Sequence, residues 1–113
     1  MPVQEIADHS SFMKLLEEAG DKLVLVDFYA CWCGPCKQIA NPLKKLSDDP
    51  KYASVIFAKV DVDVNGETAE ACEINCMPTF QFFHQAKKVE EFSGANKAKL
   101  IELLNSLVEK YSK

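Results

Sequence analysis

The chain lacks any basic run. Its 13 lysine and arginine side chains face 17 acidic ones, for a net charge of −4. Nucleic acid is not an expected partner, since phosphate binding needs a concentrated positive patch. The longest apolar stretches fall well short of the roughly 20 residues of a membrane-spanning helix, so no membrane association is expected. Met1-Pro2-Val3-Gln4-Glu5-Ile6 has neither the basic nor the apolar region of a secretory signal, which makes a reducing, cytoplasmic setting the expectation. No Gly-x-Gly-x-x-Gly loop occurs, so no dinucleotide cofactor is expected and electrons would have to come from a partner. The cysteine count is odd, five in 113 residues. An even count in a small, loop-rich chain would suit a disulfide scaffold; these cysteines read instead as reactive or buried thiols.

What is present is an ordinary globular composition, 48% hydrophobic and 27% charged, in a length that suits one domain over residues 1–113. Val3 to Ile6 reads as a short first strand. Asp8 or Ser10 caps a helix to about Glu18, with Phe12, Leu15, Leu16 and Ala19 on one face and Gly20 at its end. Lys22 to Tyr29 is apolar enough for a strand covered on both faces. A helix over Pro35 to Ser47 directs Ile39, Leu43 and Leu46 inward, and Pro42 should kink it. Val55 to Val62 is the next strand, followed by a short helix near Glu67 to Cys72. Thr79 to Phe83 and Lys88 to Phe92 form a hairpin around His84-Gln85-Ala86-Lys87. Asn96 opens a last amphipathic helix to about Lys110, with Leu100, Ile101, Leu103, Leu104, Leu107 and Val108 inward. The order β-α-β-α-β-α-β-β-α implies an α/β sandwich with a mixed sheet between helices and right-handed crossovers.

Chemistry concentrates in Cys31-Trp32-Cys33-Gly34-Pro35-Cys36, at the junction of strand and helix. Two thiols at Cys-x-x-Cys spacing there can open and close a disulfide, Cys33–Cys36. Only a thiolate attacks a disulfide, and Cys33, just before the helix, is the better nucleophile because its sulfur meets unpaired N–H groups and the positive end of the dipole. Cys36, one turn in, should be the more buried, resolving thiol. Pro35 suits the first turn, where its missing N–H costs nothing, and Gly34 keeps the approach open. A metal clamp or two structural thiols are the competing readings. Asp27 interrupts an apolar strand; burial would raise its pKa and suit it as proton acceptor for Cys36. A surface position at a strand end is the alternative. Lys59 would pair with Asp27 if their strands adjoin, or else lie solvated.

Val24-Leu25-Val26-Asp27-Phe28, Trp32 to Cys36, Lys59-Val60-Asp61-Val62-Asp63, Met77-Pro78-Thr79-Phe80 and Phe92-Ser93-Gly94-Ala95 together resemble the thioredoxin family in order and spacing. Cys76 before Met77-Pro78, with Cys72 nearby, resembles the animal cytosolic type. The resemblance implies a thioredoxin fold, a central mixed five-stranded sheet flanked by four helices in three layers. It implies a protein-disulfide reductase re-reduced by NADPH-dependent thioredoxin reductase, acting on ribonucleotide reductase, peroxiredoxin and methionine sulfoxide reductase. It supports the role of Asp27 and a pairing with Lys59. It also implies that Met77–Pro78 is cis and packs on the thiol pair, leaving the backbone of Met77 to pair with an extended substrate. Trp32, Met77, Gly94 and Ala95 would form an apolar rim that accepts many partners.

Three cysteines lie outside the pair. By resemblance, Cys76 would sit on the substrate rim and could join two otherwise monomeric chains; Cys72 reads as a packing residue. Cys31 departs from the family pattern. Isomerisation between thiol pairs or soft-metal capture would use it, but a tolerated small-residue replacement is the simpler reading. No metal site is expected, since His9 and His84 lie far away without ligand spacing. A second departure is the hairpin turn, which lacks the family's glycine; a positive φ there would strain Ala86. Two other functions compete: an oxidant or isomerase of the secretory pathway, and a binding module that holds a partner only when reduced.

Overall fold

The computed structural model describes residues 3–111. Five strands, β1 (Gln4–Glu5), β2 (Val24–Tyr29), β3 (Ile56–Asp61), β4 (Thr79–His84) and β5 (Lys87–Ser93), alternate with α1 (His9–Glu18), α2 (Gly34–Asp48), α3 (Gly66–Ala71) and α4 (Lys97–Tyr111) in the expected order. They form one mixed sheet, β1-β3-β2-β4-β5. The β1–β3 and β2–β3 pairs are parallel, whereas β2–β4 and β4–β5 are antiparallel.

Strand β2 runs through the middle of the sheet because nearly every residue in it can be buried. Leu25 faces the layer of α2 and α4, where it packs in one cluster with Ile39, Leu43, Leu100 and Leu104. Val24, Val26 and Phe28 face the opposite layer and join Phe12 and Leu16 of α1. Alternation along the strand therefore turns Asp27 toward the same side as Leu25 and α2. The His9 ring Nδ1 lies 2.9 Å from Thr68 Oγ1, which ties α1 to α3 on their shared side. Each fully buried Leu or Phe contributes roughly 1.5–3 kcal/mol of transfer free energy. The helices that carry the site are thereby fixed to the sheet.

Helix α2 runs from Gly34 to Asp48 with Pro42 inside it, as expected; the proline costs one backbone donor without ending the helix. Three local features differ from the sequence expectation. A short 3-10 turn, Pro50–Tyr52, follows α2, capped by the Asp49 side chain. The hairpin has a two-residue turn, with His84 paired to Lys87 and both Gln85 (φ 52°) and Ala86 (φ 65°) left-handed. Helix α3 ends with Glu73 at φ 58°. There the Ile74 N–H donates to Ala69 O and the Glu73 N–H to Glu70 O, the double closure that a glycine usually supplies.

Candidate active site

The turn from β2 into α2 is closed by the Cys33 N–H donating to Ala30 O at 3.2 Å. Cys33 is the N-cap of α2, with extended backbone (φ −88°, ψ 114°). Its Sγ accepts from the Cys36 N–H at 3.2 Å, a place usually taken by a Ser or Asp oxygen. Negative charge on this sulfur would face both a backbone donor and the positive end of a 15-residue helix. Pro35 occupies the first turn, where it removes no helical bond. Cys33 and Cys36 are joined as a disulfide across a Cα–Cα distance of 5.2 Å. The expected contrast between an exposed Cys33 and a buried Cys36 is absent: the two are 6% and 4% exposed. In the disulfide, Cys33 Sγ folds back over the first turn, where Ala30, Tyr29, Val62 and Met77 enclose the pair.

Met77 supplies the facing wall. Its carbonyl oxygen lies 3.7 Å from Cys33 Sγ, and the Met77–Pro78 peptide is cis. The Gly94 N–H donates to Pro78 O at 2.9 Å, which brings the end of β5 beside this segment. Ala95 is half-buried and packs against the main core, so it contributes less to an outer rim than the sequence suggested. Trp32 is 65% exposed, yet it is not loose, because its indole N–H donates to Asp63 Oδ2 at 2.8 Å. Asp63 was not among the expected site residues. The lone acid in the loop after β3 is marked only once the fold brings that loop to Trp32.

Asp27 is 4% exposed, and its Oδ1 has no hydrogen-bond partner. Burial pushes its pKa up to about 7; the Lys59 charge opposes this and the Glu5 charge adds to it. Asp27 and Lys59 are register partners on β2 and β3, as expected. The expected ion pair does not form among the described residues. The Lys59 ammonium lies 3.8 Å from Glu5 Oε1 instead and 5.4 Å from the centre of the Tyr29 ring. A cavity of about 410 Å³ is lined by Asp27, Tyr29, Cys36, Asn41, Lys44 and Lys59, among others. The acid and the second thiol thus share one solvent-sized space. Glu5 and Tyr29 were also missed, and neither has a motif that would single it out.

The Thioredoxin family model matches residues 3–106. The chain belongs to the thioredoxin family. Thioredoxin of Homo sapiens is 54% identical over 106 residues, covering 94% of this chain and 99% of that protein. Thioredoxin of Equus caballus is 51% identical with the same coverage. The X-ray structure of Fasciola hepatica thioredoxin superposes with a TM-score of 0.88 at 41% identity, over 92% of this chain and 98% of that one. The fold is the thioredoxin fold. Family membership and the Cys33–Cys36 pair make the chain a thiol–disulfide oxidoreductase.

The remaining thiols of this thioredoxin family member are set apart from the pair. Cys31 and Cys76 are exposed and free, and Cys76 Sγ lies 3.8 Å from Thr79 Oγ1. Cys72 is half-buried under the α1 layer, where burial pushes its pKa up to about 11 and keeps it a protonated, packing thiol. Among the described residues, no group of three His, Cys, Asp or Glu side chains is placed to hold a metal ion. No helix there is long and apolar enough to cross a membrane.

Proposed function

We propose that the chain acts as a single-domain cytoplasmic protein-disulfide reductase, re-reduced by NADPH-dependent thioredoxin reductase. The observation that carries this reading is Cys33 Sγ at the N-cap of α2, bonded to Cys36 beside the buried Asp27. In the reduced protein, the Cys33 thiolate attacks one sulfur of a substrate disulfide. A Cys33–substrate S–S bond forms, the substrate S–S bond breaks, and the leaving sulfur takes up a proton from water. Asp27 then accepts the Cys36 proton, through water in the shared cavity, and the Cys36 thiolate attacks Cys33 Sγ. The Cys33–substrate S–S bond breaks, the second substrate sulfur leaves and takes up a proton from water, Cys33–Cys36 closes, and two electrons have passed to the substrate.

The Met77 backbone beside Cys33 supports docking of an extended segment by strand addition. Trp32, Met77 and Gly94 form the rim that receives it, with a smaller part from half-buried Ala95 and with Pro78 buried behind Met77. Gly34 keeps the approach to the thiols open, and Pro35 starts the helix. Disulfides of the kind found in ribonucleotide reductase, peroxiredoxin and methionine sulfoxide reductase are the proposed substrates. The chain works as a monomer, with exposed Cys76 available to link two copies under oxidation.

Insulin reduction coupled to NADPH oxidation by an animal thioredoxin reductase tests this function. Turnover by the wild type and none by Cys33→Ser is the expected result. A fully reduced wild type that fails to turn over would overturn the reductase reading and favour the redox-gated binding module.

A further inference from the structure

The Asp27 carboxyl is buried without a hydrogen bond on Oδ1, while its register partner Lys59 turns away from it to another acid. That acid, Glu5, stands on β1, the edge strand on the far side of β3. Its Oε1 accepts a hydrogen bond from Tyr29 Oη at 2.6 Å and forms an ion pair with the Lys59 ammonium at 3.8 Å. The Lys59 ammonium also rests near the face of the same Tyr29 ring, 5.4 Å from its centre. Glu5, Tyr29 and Lys59 thus form a three-strand clasp next to the cavity shared by Asp27 and Cys36. A lysine on a four-carbon stem has other rotamers, and the carboxyl of its register partner Asp27 is the competing anchor.

We propose that Glu5, tethered by Tyr29, is a positioning residue for the resolving half of the exchange: it holds the Lys59 ammonium outward and keeps it from pairing directly with the Asp27 carboxyl at the wall of the cavity that reaches Cys36. The consequence is chemical. A carboxylate paired with an ammonium binds protons weakly, whereas an unpaired buried one keeps the proton affinity needed to receive the Cys36 proton near neutrality. Glu5 acts twice in the same direction, since its own negative charge also raises the pKa of Asp27. The other charged and titratable groups around the site are Cys36, Lys44 and Asp48 from α2, Asp61 at the end of β3, and Tyr29 itself. Lys44 and Asp48 line the same cavity with opposite charge. Tyr29 stays protonated, its pKa raised by burial first and then by the bond to Glu5.

The inference rests on Asp27 being the proton acceptor, and two separate readouts keep the ideas distinguishable. The first is the Asp27 carboxyl midpoint, followed by carbon NMR in the reduced full-length protein. Glu5→Gln should lower that midpoint by about half a unit or more, because Lys59 is released toward Asp27 and a like charge is removed. Tyr29→Phe should lower it less, and Lys59→Gln should raise it. In the Lys59→Gln background, Glu5→Gln should have a smaller effect, since the part carried by the ammonium is gone. An unchanged midpoint in a folded Glu5→Gln protein overturns the proposal, as does an equal shift with and without Lys59. The second readout is the pH profile of mixed-disulfide resolution in a single turnover. An acid limb that moves with the Asp27 midpoint supports the linked role. A midpoint that moves while the limb stays fixed removes Asp27 as the acceptor, and with it the catalytic meaning of the clasp.

Discussion

Asp27 gives the protein a pH-dependent stability of opposite sign to that of a salt-bridged carboxylate. Its folded pKa is about 7 against an ordinary 3.8, with burial as the main cause. Between those values the folded state holds the proton and the unfolded state has released it, so stability falls as pH rises through the window. The penalty is absent below the unfolded value and complete above about 7. Asp27→Asn should therefore be more stable than the wild type at about pH 8, by on the order of 3 kcal/mol, with the gain gone near pH 4. Urea unfolding at the two pH values measures this, and an equal difference at both would refute it. The burial of Asp27 was legible in its apolar strand neighbours. The pairing of Lys59 with Glu5 was not, because nothing local distinguishes a lysine bound for one acid from a lysine bound for another.

The hairpin between β4 and β5 stores strain in its turn. Both central residues, Gln85 and Ala86, have positive φ, which matches the twist of a two-residue hairpin but costs an L-residue roughly 1–2 kcal/mol. Gln85 is offset by its side chain, whose Nε2 donates to Asp21 Oδ1 at 2.8 Å. Ala86 has no side-chain bond of that kind. Ala86→Gly should stabilise the protein by about 1 kcal/mol, the relief of strain exceeding the added freedom of the unfolded chain. A rise in the urea midpoint with unchanged insulin reduction is the expected measurement. The missing glycine was visible in the sequence, and so was the strain it would cause. The turn length was not, since a four-residue polar stretch is compatible with either a two- or a four-residue loop. At the end of α3, Glu73 likewise takes a left-handed position that no residue preference announces.

Across the whole molecule, the two apolar layers make the site rigid from both sides. Leu104 of α4 is fully buried in the layer that also contains Ile39 and Leu43 of α2. Leu104→Ala should cost about 2–5 kcal/mol by lost transfer energy and the cavity left behind. The urea midpoint should fall with an unchanged slope, and the slowest amide exchange should remain in β2, β3 and β4, the interior strands. By itself the sequence determined the elements, their order and the thiol pair. Those depend on periodicity and on residues within one helical turn, where neighbours in the chain are also neighbours in space. It determined the burial of Asp27 for the same reason, since a continuous apolar strand has no wet face. The tertiary structure alone decided which groups surround that acid. Tyr29 meets Glu5 across 24 positions and Trp32 meets Asp63 across 31. Those contacts exist because the sheet order places β1 beside β3 and β3 beside β2, and long-range strand pairing leaves no trace in the local pattern of any one strand.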